Sequence, residues 1–277
     1  MSRTISRLGK LTFTSVITWS AAACFILVLV SLFASVVLEA FSTEWRGGWW
    51  PAGFTVDWFA EAWHAGVGDA LVTTVQAAVA VVVIALSVGV PAGYALARRS
   101  FPGKSVVVLL LLLPVMLPPL TYAVQLTALL YRIGLGGSLA GVIIANLVPT
   151  VPLVVLITIP FVQRISPEIE NAARVFGANT FRLLVRVLAP LLRPGIFAAA
   201  MLVMVRMLGS FELTFFVANQ QSQTLVVTLY GAAADPAGPP PPLIAAMAVF
   251  YMGLAVVLLI AGLRYVNPAD AVTARRI

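Results

Sequence analysis

One cysteine, one histidine and few charges mark this chain by what they exclude. Only 10% of its 277 residues are Asp, Glu, Lys or Arg, against roughly 25% in a soluble domain. The lone Cys24 excludes a disulfide framework within the chain. The lone His64 has no second ligand near it in sequence, so no metal site is read there. No Gly-x-x-x-x-Gly-Lys-Ser/Thr stretch occurs, which excludes a P-loop ATPase in this chain. Heptads, internal duplication and low-complexity tracts are also missing, apart from the prolines of "DPAGPPPP". With no cluster of nucleophiles, acids or metal ligands, no catalytic residue is assigned.

What is present is apolar: 61% of the residues are hydrophobic. Six runs reach the length of about 20 residues that carries a helix across a bilayer. They cover about 13–38, 70–97, 105–130, 138–162, 196–217 and 241–263. The expected fold is an all-α membrane protein with six transmembrane helices. The first run follows Arg3, Arg7 and Lys10 as a signal peptide would, but it exceeds the apolar core of about 7–15 residues that such a peptide has. "AAAC" before Cys24 has the look of a lipoprotein cleavage site, yet apolar sequence continues well past it.

The formal charge of +7 is a matter of topology, not of nucleic-acid binding. With the N-terminus cytoplasmic, six crossings place 1–12, 98–104, 163–195 and 264–277 inside. Those segments hold Arg3, Arg7, Lys10, Arg98, Arg99, Lys104, Arg164, Arg174, Arg182, Arg186, Arg193, Arg264, Arg275 and Arg276, fourteen of the seventeen basic residues. Arg46 and Arg132 fall outside and Arg206 lies within a span. This is the positive-inside bias. The expected organisation is a cytoplasmic N-terminus at 1–12, a first span at 13–38 and an extracytoplasmic segment at 39–69. A core at 70–264 and a cytoplasmic tail at 265–277 complete it.

The segment 39–69 carries Glu39, Glu44, Asp57, Glu61 and Asp69 among Trp45, Trp49, Trp50, Trp58 and Trp63. In "DWFAEAWH", Trp58, Phe59, Ala62 and Trp63 share one helical face, with Asp57, Glu61 and His64 on another. A short interfacial helix with tryptophans at headgroup level is expected, either as an anchor or as a docking surface. In the third span Pro114, Pro118 and Pro119 break the helical register, and in the fourth Pro149 and Pro152 do so. Gly89 with Gly93, and Gly137 with Gly141, read as small-xxx-small packing pairs.

The exception to this apolar pattern is "SPEIENAARVFGANTFRLLVRVLAP", Ser166 to Pro190. Ser166 suits an N-cap, Pro167 the first helical position, and Glu168 and Glu170 the acid-favouring first turn. Ile169, Ala172, Ala173, Phe176, Leu184, Val187 and Leu188 are its apolar members, with Arg174, Arg182 and Arg186 between them. Gly177 permits a bend or close approach. Pro190 and Pro194 are expected to end the helix before the fifth span. A helix this polar, on the basic side, is too charged to cross and calls for a partner surface.

Ala172, Ala173, Gly177, Val187 and Pro190 keep the spacing of the EAA loop, and the chain resembles ABC-importer permeases through it. The loop lies between the fourth and fifth spans, as in that family. Two positions depart from the pattern: Asn171 stands at the motif's acidic position, with Glu170 just before it, and Ala189 replaces a common leucine. "LPPL" and "SFELTFF…TLVVTLYG" extend the resemblance from about Leu71 to the C-terminus.

The resemblance implies a MetI-like type I importer permease with both termini cytoplasmic, in a bacterial inner membrane. It implies a pathway shared with a second permease subunit and coupling to two cytoplasmic ATPase subunits, which would bind the ATP and magnesium. An extracytoplasmic binding protein would deliver the solute. The coupling residues it implies are Glu170, Asn171, Ala172, Ala173, Arg174, Gly177 and Pro190. Charges at membrane depth are functional candidates; Arg206, Ser210 and Glu212 of the fifth span, with Asn146 of the fourth, are the expected pathway residues. "GSFELTFF" is closest in character to polyamine-type permeases. Sugar, iron and phosphonate importers, a secondary transporter and a membrane enzyme are the alternatives.

Overall fold

The computed structural model describes residues 13–45, 48 and 50–265; Arg3, Arg7, Lys10, Arg46, Trp49, Arg275, Arg276 and the segments 1–12 and 266–277 lie outside them. Every regular element among the described residues is helical. The chain forms two compact units, the first of residues up to Ala62 with Pro239–Val249, the second of Trp63–Gly238 with the residues from Phe250 onward.

In the first unit α1, Phe13–Ala40, is apolar all round and buries nothing along its spanning stretch. Trp19, Phe25 and Leu27 are exposed, as is Cys24. A helix apolar on every face suits lipid. Beyond it the chain turns back on itself, with Thr43 N donating to Gly53 O at 3.0 Å and Thr55 N to Phe41 O at 2.8 Å. This return leads into α2, Asp57–Ala62. Trp58 donates its indole N–H to Ser42 O at 2.8 Å, and Phe59 packs on Phe41 with ring centroids 4.9 Å apart. The short amphipathic helix is thus present, with Trp58 tied to its own unit and Trp50 exposed.

The second unit opens with a π turn at Trp63–Val67, where Gly66 adopts φ +93°, followed by α3, Gly68–Arg98. Next come α4, Lys104–Met116, and α5, Leu120–Arg132. They meet at 97°, so the expected third span is a broken one. Leu117 precedes Pro118 and is forced to an extended ψ of 138°. The two prolines supply no N–H to carry the ladder onward. α6, Leu139–Gln163, stays continuous through Pro149, Pro152 and Pro160.

α7 covers Pro167–Val175, α8 Thr180–Leu191 and α9 Arg193–Leu208. The expected fifth span, 196–217, stops at Leu208. Its remainder is a separate helix, α10, Glu212–Val217. Gly209 and Ser210 are poor helix formers, and the Ser210 side chain bonds elsewhere. α11, Leu225–Ala234, and α12, Pro241–Tyr265, complete the chain; α12 is divided between the two units. Among the described residues, four helices are long and apolar enough to cross a membrane, or up to six if each bent pair counts as one span.

α3 and α6 form the spine of the second unit. A Cβ on Gly89 would lie 2.7 Å from Val154 Cγ1, and one on Gly93 would lie 2.9 Å from Val155 O. This glycine pair therefore packs helix on helix as its spacing predicts. The other pair does not. Gly137 sits outside α6 with φ +71°, and Gly141 faces the Leu135 carbonyl. The spine shares its core with α5, α9 and α10 through Ala77, Val81, Ala123, Ala145, Val203 and Leu213.

Candidate functional site: an exposed elbow and an interrupted polar centre

Ser166 caps α7, its side chain accepting from Glu168 N at 3.2 Å. At the other end Gly177 N donates to Arg174 O and Ala178 N to Ala173 O, at 2.9 and 3.0 Å. These are the paired bonds of a Schellman stop. Gly177 takes φ +81° with nothing within 4 Å of a would-be Cβ. The motif glycine thus serves backbone conformation within the chain, not close approach. Asn179 then caps α8, accepting from Arg182 N at 2.8 Å. A π turn at Leu183–Leu188 precedes Pro190, whose missing N–H a wider turn tolerates. Pro190 therefore lies inside α8, and the turn comes at Leu192, with a bend of 79° into α9. Pro194 opens α9 near its first position and does not end α8, contrary to the expectation for both prolines.

This elbow has two faces. Inward, Leu183, Leu188 and Leu192 are buried with Val162, and Ala173 packs against them. Outward, Val175 is 85% exposed and Phe176 90%, with Phe181 also exposed. Asn171, Ala172, Arg174 and Gly177 are exposed as well. Glu170 is the exception among the polar residues, at 6% exposure. Its carboxylate accepts from Tyr94 Oη and pairs with Arg98 Nε, each at 2.6 Å. The same guanidinium donates to Ile165 O at 2.5 Å.

The second centre lies where helices are interrupted. Asn146, 2% exposed on α6, donates to Val142 O at 2.9 Å and to Thr214 Oγ1 at 3.3 Å. Its Oδ1 accepts from Ser210 Oγ, and its carbonyl accepts from Thr150 at 2.6 Å. Ser210, in the break before α10, and Asn146 are therefore brought together. Arg206 and Glu212 are half-buried and form no ion pair or hydrogen bond among the described residues. Both act electrostatically on the hydroxyl of Tyr122, which follows the Pro118–Pro119 break. Because the helix ends at Leu208, a continuous helical phase does not relate Arg206 to Ser210 or Glu212.

Sequence reasoning missed Tyr94, Arg98, Tyr122, Thr214 and the exposed Val175, Phe176 and Phe181. A carboxylate in the first turn of a helix packed on a core needs a partner, which pointed to one of the basic residues at 98–104. Tyr122 is polar and adjoins a double proline. No group of three or more potential metal ligands occurs among the described residues.

Residues 89–269, well over half of the chain, match the family described as binding-protein-dependent transport system inner membrane component. A melibiose/raffinose/stachyose import permease protein of Bacillus subtilis is 29% identical over 76% of this chain and 77% of its own length. A probable molybdenum ABC transporter permease protein of Haloferax volcanii is 32% identical over 54% of this chain. The chain spans 58% of the length of that relative and 53% of a trehalose transport permease of Mycobacterium tuberculosis. Among solved structures, a bacterial ABC transporter for import of the acidic polysaccharide alginate superposes with TM-score 0.78 at 16% identity. The match covers 96% of this chain and 99% of that one. The MetNI methionine ABC transporter gives 0.57 at 20% identity, over 74% and 94%. Both show a shared fold, the MetI-like arrangement. With residues 89–269, from the last third of α3 through α12, matching the family model, this chain is a multi-pass membrane protein that belongs to the binding-protein-dependent transport system inner membrane components.

Proposed function

We propose that the chain is a permease subunit of an ATP-driven importer in the bacterial cytoplasmic membrane. It forms the solute pathway with a second permease subunit, receives solute from an extracytoplasmic binding protein and is driven by two cytoplasmic ATPase subunits. The observation that carries this reading is the elbow α7–α8. Its inner face is anchored in the chain's own core, while Val175, Phe176 and Phe181 project from the other side. Apolar side chains grouped on a segment too polar to cross the bilayer mark a protein interface. Glu170, Asn171, Ala172, Ala173, Arg174, Gly177 and Pro190 build that element, and its exposed members face the ATPase. Co-purification with its cognate ATPase subunits tests the assignment. Phe176→Asp is expected to abolish it; co-purification at the wild-type level would contradict it.

The pathway passes the interrupted helices, where Arg206 and Glu212 have no ion-pair or hydrogen-bond partner among the described residues, with Ser210 and Asn146 fixing the break. Uncompensated charge at membrane depth is costly unless water or solute reaches it. The solute is a polyamine-type cation that meets Glu212. In cells expressing the complex, labelled spermidine uptake is expected to fall in Glu212→Gln and Arg206→Met at matched expression. Wild-type uptake in both variants removes these residues from the pathway. Uptake of an oligosaccharide in place of spermidine overturns the solute class.

A further inference from the structure

We infer that Arg98 and Tyr94 are positioning residues that lock the elbow to α3 through Glu170, so that a displacement of α7 is passed directly into the membrane-spanning spine. The inference rests on the proposed coupling role and adds the route by which force leaves the elbow.

Glu170 points away from the exposed tip and is buried against α3, where its two carboxylate oxygens are taken by Tyr94 and Arg98, each at 2.6 Å. Tyr94 and Arg98 are four residues apart and so lie one turn apart on a common face. Both grip one side chain of α7. Arg98 occupies the last turn of α3 and Glu170 the first turn of α7, so each charge also sits at the helix end that favours it. The guanidinium reaches Ile165 O as well, fixing the turn between α6 and α7. Three elements are thus joined by one cation.

Above the clamp, α3 has no freedom to slip against α6. Gly93, one residue before Tyr94, already lies so close that a Cβ would meet Thr158 Cβ at 2.7 Å. The outward position next to Glu170 is the neutral Asn171, so the charge of this motif is directed into the permease. The docking tip is left to apolar side chains, because Arg174, though exposed, also acts on the Tyr94 hydroxyl. Docking and transmission are thereby divided between the two faces of one short helix.

Spin labels at position 168 on α7 and position 88 on α3, both exposed sites, measure the coupling directly in the complex, without nucleotide and with MgATP plus orthovanadate. The wild type is expected to give one narrow distance, the same in both states. Glu170→Gln and Arg98→Met are expected to lose it, the distance broadening and becoming nucleotide-dependent. The reversed pair Arg98→Glu/Glu170→Arg is expected to recover the narrow distance, which a general packing defect would not. Tyr94→Phe keeps the ion pair and gives a partial loss, should either single variant fail to fold. An unchanged narrow distance in the folded single variants, or a wild-type distance that changes with nucleotide, overturns the clamp. A chain that binds no ATPase refutes the proposed function instead, and the nucleotide-free distance still reads the clamp in that case.

Discussion

The elbow and the interrupted centre both hold charge, but they treat it in opposite ways. At the elbow the Glu170 carboxylate is buried, and all its hydrogen bonding is internal, to Tyr94 and Arg98. At the interrupted centre Arg206 and Glu212 stay half-buried and, among the described residues, unpaired, while the neutral Asn146 and Ser210 make the internal bonds. A buried charge that is paired belongs to the structure, and breaking its pair is expensive. A charge left unpaired in a break between helices is available to water or solute. On the proposed function, the contrast separates the part of the chain that transmits force from the part that meets cargo.

The contrast is sharpest in stability. Arg98→Met strands the buried Glu170 carboxylate and is expected to cost about 3 kcal/mol. Arg206→Met removes a cation without an ion-pair partner among the described residues and is expected to cost less than about 1 kcal/mol. Urea or thermal unfolding of both variants in detergent checks the difference, and equal losses would erase it.

A smaller effect is expected at the tip of the elbow. Gly177→Ala places a Cβ on a residue at φ +81° with open space around it. The cost is conformational, about 1–2 kcal/mol, and should appear as an unfolding shift with no loss of α3–α6 packing. If the variant is fully stable, the Schellman stop does not depend on its glycine.

Smallest is Ser210→Ala, which removes one bond to Asn146. Hydrogen bonds between membrane helices average about 0.6 kcal/mol, so stability should barely change. Spermidine uptake, by contrast, should fall if the bond fixes the break in the pathway. A stability loss matching that of Arg98→Met would make Ser210 a structural residue like Glu170.

Much of this was legible in the residues themselves. Ser166 and Pro167 read directly as a helix start, because capping is local chemistry; Gly177, read as a bend, proves to be the stop of α7. Gly89 and Gly93 announced close packing by their spacing, whereas α6 runs unbroken through Pro149 and Pro152, where a break was expected. The partners of Glu170 were not legible. Tyr94 and Arg98 lie more than seventy residues away in sequence, and no local pattern encodes a contact made by tertiary packing. The break at Gly209–Phe211 was hidden for a similar reason. Apolar sequence continues through 196–217, so hydropathy sees one span, while the Asn146–Ser210 bond and poor local helix propensity divide it. Ala173 shows the same limit. Its motif position is visible in sequence, but its inward orientation depends on where Leu183 and Leu188 pack.

The most direct test of the two-faced elbow is cross-linking within the assembled complex. Single cysteines at positions 176 and 173, in a chain with Cys24→Ser, would each be challenged with a short thiol cross-linker in the presence of the ATPase subunits. Position 176, at the exposed tip, is expected to link to the ATPase, and position 173, packed against the permease core, is expected not to. Cross-linking from 173 with none from 176 would mean that the elbow docks by its other face.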